Sequence, residues 1–109
     1  MRLAVAIAIA ILAAAAMAAE KKTYRYSCRN GSFTVTAAVD GADRWRKTEP
    51  AVLQIGDEPP QTLIADPDAP EANSYKNKDY EFYALGNFIT LTHKSHGVTV
   101  KFYSECRAE

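Results

Sequence analysis

The sequence predicts an all-β protein, a small antiparallel β-barrel of about eight strands in which one disulfide joins the first and last strands. Three observations predict it: short runs of alternating apolar and polar residues, turn residues between those runs, and two cysteines far apart in the chain. A period of two is typical of half-buried strands, and turn signals at short, regular spacing indicate a sandwich or barrel. No segment after residue 19 has helical periodicity over ten residues.

The first 19 residues have the layout of a signal peptide. Arg2 supplies a positive charge, residues 4–16 form an apolar run rich in alanine, and Ala16-Met17-Ala18 offers a small-residue cleavage site. A transmembrane anchor is the alternative, but the run is shorter than the roughly 20 residues that a spanning helix needs. No cysteine for lipid attachment is close by. We therefore predict a periplasmic or secreted protein without a membrane anchor after signal removal, with one domain over residues 20–109.

Cys28 and Cys106 are the two cysteines of the chain. An even number of cysteines in an exported protein implies a disulfide, and only this pairing exists. In the chain-entropy model a bond closing so long a loop stabilises the fold by about 4 kcal/mol. That is a large share of the roughly 5–15 kcal/mol typical of a small domain. Two free thiols in a reducing compartment are the alternative.

Strand and turn signals alternate through the first half of the domain. Tyr24, Tyr26 and Cys28 are separated by polar residues, and Asn30-Gly31 favours a hairpin turn because both residues accept positive φ. The predicted strands are residues 24–28, 33–39, 51–55 and 61–64. Turns at 30–31 and 56–60 and a basic connection at 44–47 separate them. A proline-containing loop, residues 66–71, follows the last of these strands.

The second half continues this pattern. Its predicted strands are residues 80–85, 88–92 and 98–103. A break at 86–87 separates the first two, and a turn at 93–97 separates the last two. In the last strand Val98, Val100 and Phe102 alternate with other residues and are in phase with Cys106. We therefore expect these three side chains to face the interior together with both sulfur atoms.

Motifs for catalysis are missing from the sequence. His93 and His96 bracket a predicted turn, and exposed turn residues are favoured over half of a metal site, because no cysteine or carboxylate cluster with ligand spacing accompanies them. No nucleophile elbow or phosphate-binding glycine loop is present. We predict that the protein is not an enzyme and has no cofactor and no metal, with a hydrolase that uses His93 as the alternative.

Charge and aromatic content bear on the class of partner. Basic and acidic residues are equal in number, at 13 each, so nucleic acid is not a predicted partner. Trp45 lies among basic residues and is either an interface anchor or a half-buried ring over the barrel end. We favour the second role, and we expect most tyrosines to be part of the core.

Three short motifs carry a resemblance to a known family: Tyr26-Ser27-Cys28, the segment 71–75 that ends in Tyr75, and the segment 82–86 that ends in Gly86. Their order and spacing resemble those of the membrane-bound and periplasmic inhibitors of c-type lysozyme, over the whole stretch from Tyr26 to Cys106. The resemblance implies an eight-stranded antiparallel barrel with a disulfide. It also implies a mechanism in which a serine and a lysine enter the lysozyme cleft, where two carboxylates lie.

The chain departs from the family pattern at both inhibitory positions. Glu71 stands where the family has the serine, Ala72 where it has a glycine, and Leu85 where it has the lysine before Gly86. Ser74 and two cations after Tyr75, Lys76 and Lys78, are nearby substitutes. We predict inhibition of c-type lysozyme by cleft occlusion, and the candidate interface residues are Glu71, Ser74, Tyr75, Lys76, Leu85 and Gly86. The alternative is a non-inhibitory periplasmic protein-binding module on the same fold, and the sequence leaves a homodimer open.

Overall fold

The computed structural model describes residues 20–109, which form nine antiparallel strands and one short 3-10 helix, Gly41–Asp43. The predicted signal peptide, residues 1–19, lies outside the described residues. The strands are β1 (Glu20–Cys28), β2 (Gly31–Val39), β3 (Ala51–Gln54), β4 (Gln61–Ala65), β5 (Asn73–Lys76), β6 (Tyr80–Leu85), β7 (Phe88–Ser95), β8 (Val98–Tyr103) and β9 (Arg107–Ala108). The all-β prediction is confirmed, with nine strands rather than eight.

The nine strands form one curled sheet in the order β8-β7-β6-β5-β4-β3-β2-β1-β9. From β1 to β8 each strand pairs with the next one along the chain, and the short β9 returns to pair with the free side of β1. This meander curls into a half-barrel whose concave face holds the core.

The seam between the two ends of the chain is held by the disulfide. Tyr26 and Ser27 of β1 pair with Ala108 and Arg107 of β9, and the Cys28–Cys106 bond lies directly beside these pairs. Its two cysteines are 78 residues apart in sequence. The predicted disulfide between the first and last strands is confirmed.

Aromatic and aliphatic side chains on the concave face form the core. In β2 Phe33, Val35 and Ala37 are at most 3% exposed, as their alternation with polar residues predicts. The ring of Tyr26 lies 5.3 Å from that of Phe33 and 5.4 Å from that of Phe82 on β6. Burial of such a side chain stabilises the fold by about 1.5–3 kcal/mol relative to exposure, so this cluster is a major source of stability.

Strands β5 and β9 and one turn differ from the sequence-based prediction. Strand β5 was not predicted, because the sequence Asn73–Lys76 has one apolar residue and no alternation over several positions. The predicted turn at 93–97 was too long, since β7 continues to Ser95 and only His96 and Gly97, both with positive φ, make the turn.

The predicted orientation of the last strand was wrong. Val98, Val100 and Phe102 are 65%, 56% and 49% exposed, whereas Tyr103 is buried at 4%. Cys106 is nevertheless buried, because Glu105 has a φ of 53° and the turn there breaks the alternation between β8 and β9. Strand alternation can be extended along a chain only while the backbone stays extended.

Burial of the Tyr26 phenol predicts a loss of stability in alkali. Exclusion from water, with a smaller contribution from neighbouring Tyr24, raises the pKa of Tyr26 to about 12 from an ordinary value of 10.0. Between these pH values the unfolded chain loses the phenol proton while the folded chain keeps it. The free energy of unfolding therefore falls by about 1.4 kcal/mol per pH unit on account of this group.

Urea denaturation of the wild type and of Tyr26→Phe at pH 9 and pH 11.5 measures this contribution. The wild type should lose about 2 kcal/mol more than the variant, which has no phenol at this position. Equal losses in the two proteins would contradict the account of Tyr26.

Candidate functional site

The fold brings together segments 71–75 and 82–86, two of the three motifs on which the family resemblance rests. Strands β5 and β6 are adjacent and antiparallel, with Ser74 opposite Tyr83, Tyr75 opposite Phe82 and Lys76 opposite Glu81. The loop that precedes β5 and the turn that follows β6 therefore lie at the same end of the sheet. We call the loop residues 66–72, the outer face of β5 and the turn at Gly86 together the β5–β6 rim.

Strand alternation divides the candidate residues between two faces. Tyr75 is 1% exposed and packs in the core with Phe82. Ser74 and Lys76, its neighbours on β5, are on the outer face, and Lys76 is exposed. Tyr75 is thus an anchor that positions Ser74 and Lys76, while these two side chains are accessible to a partner.

Leu85 and Gly86 lie at the tip of the β6–β7 hairpin. Leu85 is 44% exposed on the outer face, where its register partner is Phe88. Gly86 has a φ of 59°, a conformation that L side chains rarely adopt, so the turn itself requires glycine here. Leu85, which stands where the lysozyme inhibitors have a lysine, therefore projects toward solvent, but its side chain is apolar.

The loop between β4 and β5 is acidic and well ordered by its own hydrogen bonds. The Asp66 amide donates to the Ser74 carbonyl at 2.8 Å, and the Asp68 amide donates to the Asp66 carboxylate at 3.0 Å. Glu71 is exposed, and the following Ala72 is buried at 2%. Three carboxylates, those of Asp66, Asp68 and Glu71, thus belong to this loop.

Two cations lie against this acidic loop. The Lys76 ammonium is 3.5 Å from the Asp66 carboxylate, and its side chain remains 48% exposed. Lys47, on the connection between β2 and β3, donates a hydrogen bond to the Pro70 carbonyl. Lys47 was not among the candidate residues, and its only signal in the sequence is its place in the basic run 44–47.

Trp45 covers the core beside the β5–β6 rim. Its ring centroid lies 4.9 Å from that of Tyr24 and 5.6 Å from that of Tyr75, and the ring stacks on Phe82 at 5.8 Å. Trp45 is half-buried and packs against the core, as expected for a ring over the barrel end. It ties the β2–β3 connection to strands on both sides of the half-barrel.

The histidines do not come together as a site. His93 is a half-buried residue of β7 whose ring stacks on Tyr80 at 4.4 Å, so its prediction as an exposed turn residue was wrong. His96 is exposed in the turn. Among residues 20–109 no group of three or more His, Cys, Asp or Glu side chains is arranged to hold a metal ion.

Comparisons with protein-family models, with curated proteins and with solved structures find no match to this chain. In the part of the chain from Glu20 onward, no helix has the length and apolar character needed to cross a membrane.

The Tyr75 hydroxyl allows a test of the anchoring role. It is buried, and it has no hydrogen-bond partner within the described residues. Burial also raises the pKa of this phenol, which keeps it neutral. Because an unpaired buried polar group costs about 1–3 kcal/mol, Tyr75→Phe should leave the free energy of unfolding unchanged or raise it by about 1 kcal/mol.

Chemical denaturation of Tyr75→Phe beside Tyr83→Phe, a half-buried outer-face control, measures the effect. The control should stay within about 0.5 kcal/mol of the wild type. A loss above about 1 kcal/mol in Tyr75→Phe alone would mean that the hydroxyl makes a stabilising hydrogen bond.

Proposed function

We propose that the protein is an exported inhibitor of c-type lysozyme that acts as a binding protein, by occluding the cleft of the enzyme. The observation that carries the proposal is the adjacency of segments 71–75 and 82–86 on neighbouring strands with their ends at one rim. Glu71 and Leu85 occupy the positions at which the inhibitor family has a serine and a lysine. These two positions are distant in the sequence, but in this chain they belong to one accessible surface. The resemblance of the chain to the inhibitor family, which extends from Tyr26 to Cys106, supports the same proposal. The Cys28–Cys106 disulfide also supports it.

Export is part of the proposal. Residues 1–19 have the composition of a signal peptide, and the Cys28–Cys106 disulfide accords with an oxidising compartment. A periplasmic or secreted location would bring the protein to lysozyme outside the cytoplasm.

The chemistry of the cleft defines what the rim must supply. A c-type lysozyme uses two carboxyl groups, and an inhibitor that offers a cation and a hydroxyl there satisfies them while it excludes the glycan. Lys76 and Ser74 lie two residues apart on the outer face of β5 and provide these groups. Leu85 and Gly86 at the neighbouring turn would add apolar contact and close backbone approach.

The acidic loop sets the strength of this interaction. Asp66 already pairs with Lys76, and the carboxylates of Asp68 and Glu71 would repel those of the cleft. We therefore expect an affinity in the micromolar range, weaker than that of an inhibitor with serine and lysine at the family positions.

Lysozyme activity on cell walls, measured against increasing inhibitor, tests the proposal. Lys76→Ala and Ser74→Ala should each weaken inhibition by about tenfold, equivalent to about 1.4 kcal/mol of binding free energy. Lys78→Ala, an exposed cation in the β5–β6 turn at the far end of β5, is the matched control and should leave inhibition unchanged. The double variant Glu71→Ser with Leu85→Lys should inhibit at least tenfold more strongly than the wild type.

Two outcomes would overturn the proposal. One is the absence of both inhibition and a detectable complex at 100 µM for the wild type and for the double variant. The other is inhibition that none of the substitutions at Glu71, Ser74, Lys76 and Leu85 changes.

A non-inhibitory protein-binding module is the second candidate. The exposed acids of the loop 66–72 favour it, because such a surface complements a basic partner rather than a pair of carboxylates. Glu71→Gln distinguishes the two, since it should strengthen binding to a lysozyme cleft and weaken binding to a basic surface.

A further inference from the structure

The last part of the chain leaves a wedge-shaped opening in the half-barrel. Strand β8 pairs with β7 as far as Tyr103, which lies opposite Leu91. The chain then crosses to the other end of the sheet, where β9 pairs with β1. Residues 86–90 and 102–108 therefore diverge from the pair of Leu91 and Tyr103 onward. We call the opening between these two segments the wedge.

A groove with a buried floor runs along the wedge. One cavity of about 300 Å³ lies between Phe88 and Phe102. A second cavity of about 460 Å³ lies between the β6–β7 turn and β9. Both are lined by Asn87, Ile89 and Cys106, so the two cavities form one groove. Ile89 and Cys106 are 7% and 4% exposed and form its floor, whereas the walls, Phe88 and Phe102, are 63% and 49% exposed.

Both sides of the wedge are strand edges. Residues 88–90 of β7 pair with β6 on one side, but on the other side pairing with β8 begins only at Leu91. Strand β9 is the last strand in the order of the sheet and pairs with β1. Within residues 20–109 no strand fills the space between these two edges. A strand edge of this kind offers unpaired backbone N–H and C=O groups to an extended chain that approaches it.

The charge beside the wedge is positive. Arg29, Glu105 and Arg107 line a further cavity that shares Cys106 with the groove. Arg29 and Glu105 form an ion pair at 3.1 Å and neutralise each other. Arg107 is exposed and belongs to none of the ion pairs found from residue 20 onward. The last residue, Glu109, lines a different cavity. An acidic group on the occupant therefore complements Arg107.

We propose that the wedge binds an extended, acidic peptide segment of another protein, which adds a strand between β7 and β9. The two edges bind the main chain of the segment, and Phe88 and Phe102 contact apolar side chains at every second position. Arg107 binds a carboxylate of the segment. A lipid or a small aromatic molecule would also contact the apolar walls, but it would leave both backbone edges unpaired. The proposal goes beyond lysozyme inhibition and does not depend on it.

Nuclear magnetic resonance titration of the isotope-labelled protein tests the proposal. The probes are four seven-residue peptides that end in aspartate, with valine, leucine, isoleucine or phenylalanine at alternate positions and serine between them. At least one should bind with a dissociation constant below about 1 mM and shift the amide signals of Ile89, Thr90 and Arg107. The same peptide methylated on every second amide nitrogen should bind at least tenfold more weakly, because it loses the hydrogen bonds to one edge. Lysine in place of the final aspartate should weaken binding about threefold.

Protein variants locate the binding surface. Phe102→Ser and Arg107→Glu should each weaken binding of the aspartate peptide. Ile64→Ser is the matched control, since Ile64 is 59% exposed on β4 outside the wedge, and it should bind as the wild type does. Unchanged thermal unfolding of each variant establishes that it is folded. Arg107→Glu should inhibit lysozyme as the wild type does, which separates this inference from the proposed inhibition.

Four results would overturn the inference. The first is the absence of binding by all four peptides at 1 mM. The second is a set of shifts confined to residues 98–101, which would assign binding to the free edge of β8. The third is equal binding of the methylated peptide, which would make the groove a site for apolar groups alone. The fourth is a shift of the wedge amides when the protein concentration rises without peptide, which would assign the wedge to a second copy of the chain.

Discussion

Closure of the sheet at its seam is the constraint on which the rest of the structure depends. Strands β1 and β6 are five positions apart in the sheet, yet the rings of Tyr26 and Phe82 are 5.4 Å apart. Phe33 on β2 and Tyr103 on β8 meet at 5.8 Å across an even longer path. Such contacts require a strongly curled sheet. The two residue pairs of β1 with β9 are few, so the covalent Cys28–Cys106 link does most to keep the ends together.

The candidate site depends on the same curvature. Trp45 contacts Tyr24 on β1 and Phe82 on β6, and it can do so only while the two sides of the half-barrel face each other. Lys47, two residues later, then reaches the carbonyl of Pro70 in the acidic loop. The rim that presents Ser74 and Lys76 therefore packs on the core through Tyr75, and it contacts the β2–β3 connection through Lys47.

Sequence reasoning predicted what local alternation determines and failed where tertiary contacts decide. The inner face of β2 followed from alternation at Phe33, Val35 and Ala37, and the disulfide followed from the even number of cysteines together with the predicted signal peptide. Strand β5 was missed because four residues around Tyr75 carry too little pattern, although they pair on both sides. The faces of β8 were assigned wrongly because the irregular pairing of β8 with His93 and Lys94, and the positive φ at Glu105, leave no mark in the hydrophobic pattern. The approach of Lys47 to Pro70 joins residues 23 positions apart, which no local pattern reveals.

Amide hydrogen exchange at the seam tests the closure most directly. The Arg29 amide donates to the Ser104 carbonyl at 3.2 Å, and the Glu109 amide donates to the Arg25 carbonyl at 2.9 Å. Exchange at these two amides is compared between the wild type and a Cys28→Ser, Cys106→Ser double variant, with the Asn77 amide, bonded to Tyr80 at 2.9 Å, as an internal reference. We expect exchange at Arg29 and Glu109 to accelerate at least tenfold more than exchange at Asn77. Equal changes at all three amides, or no change at the seam, would contradict the central role of the disulfide.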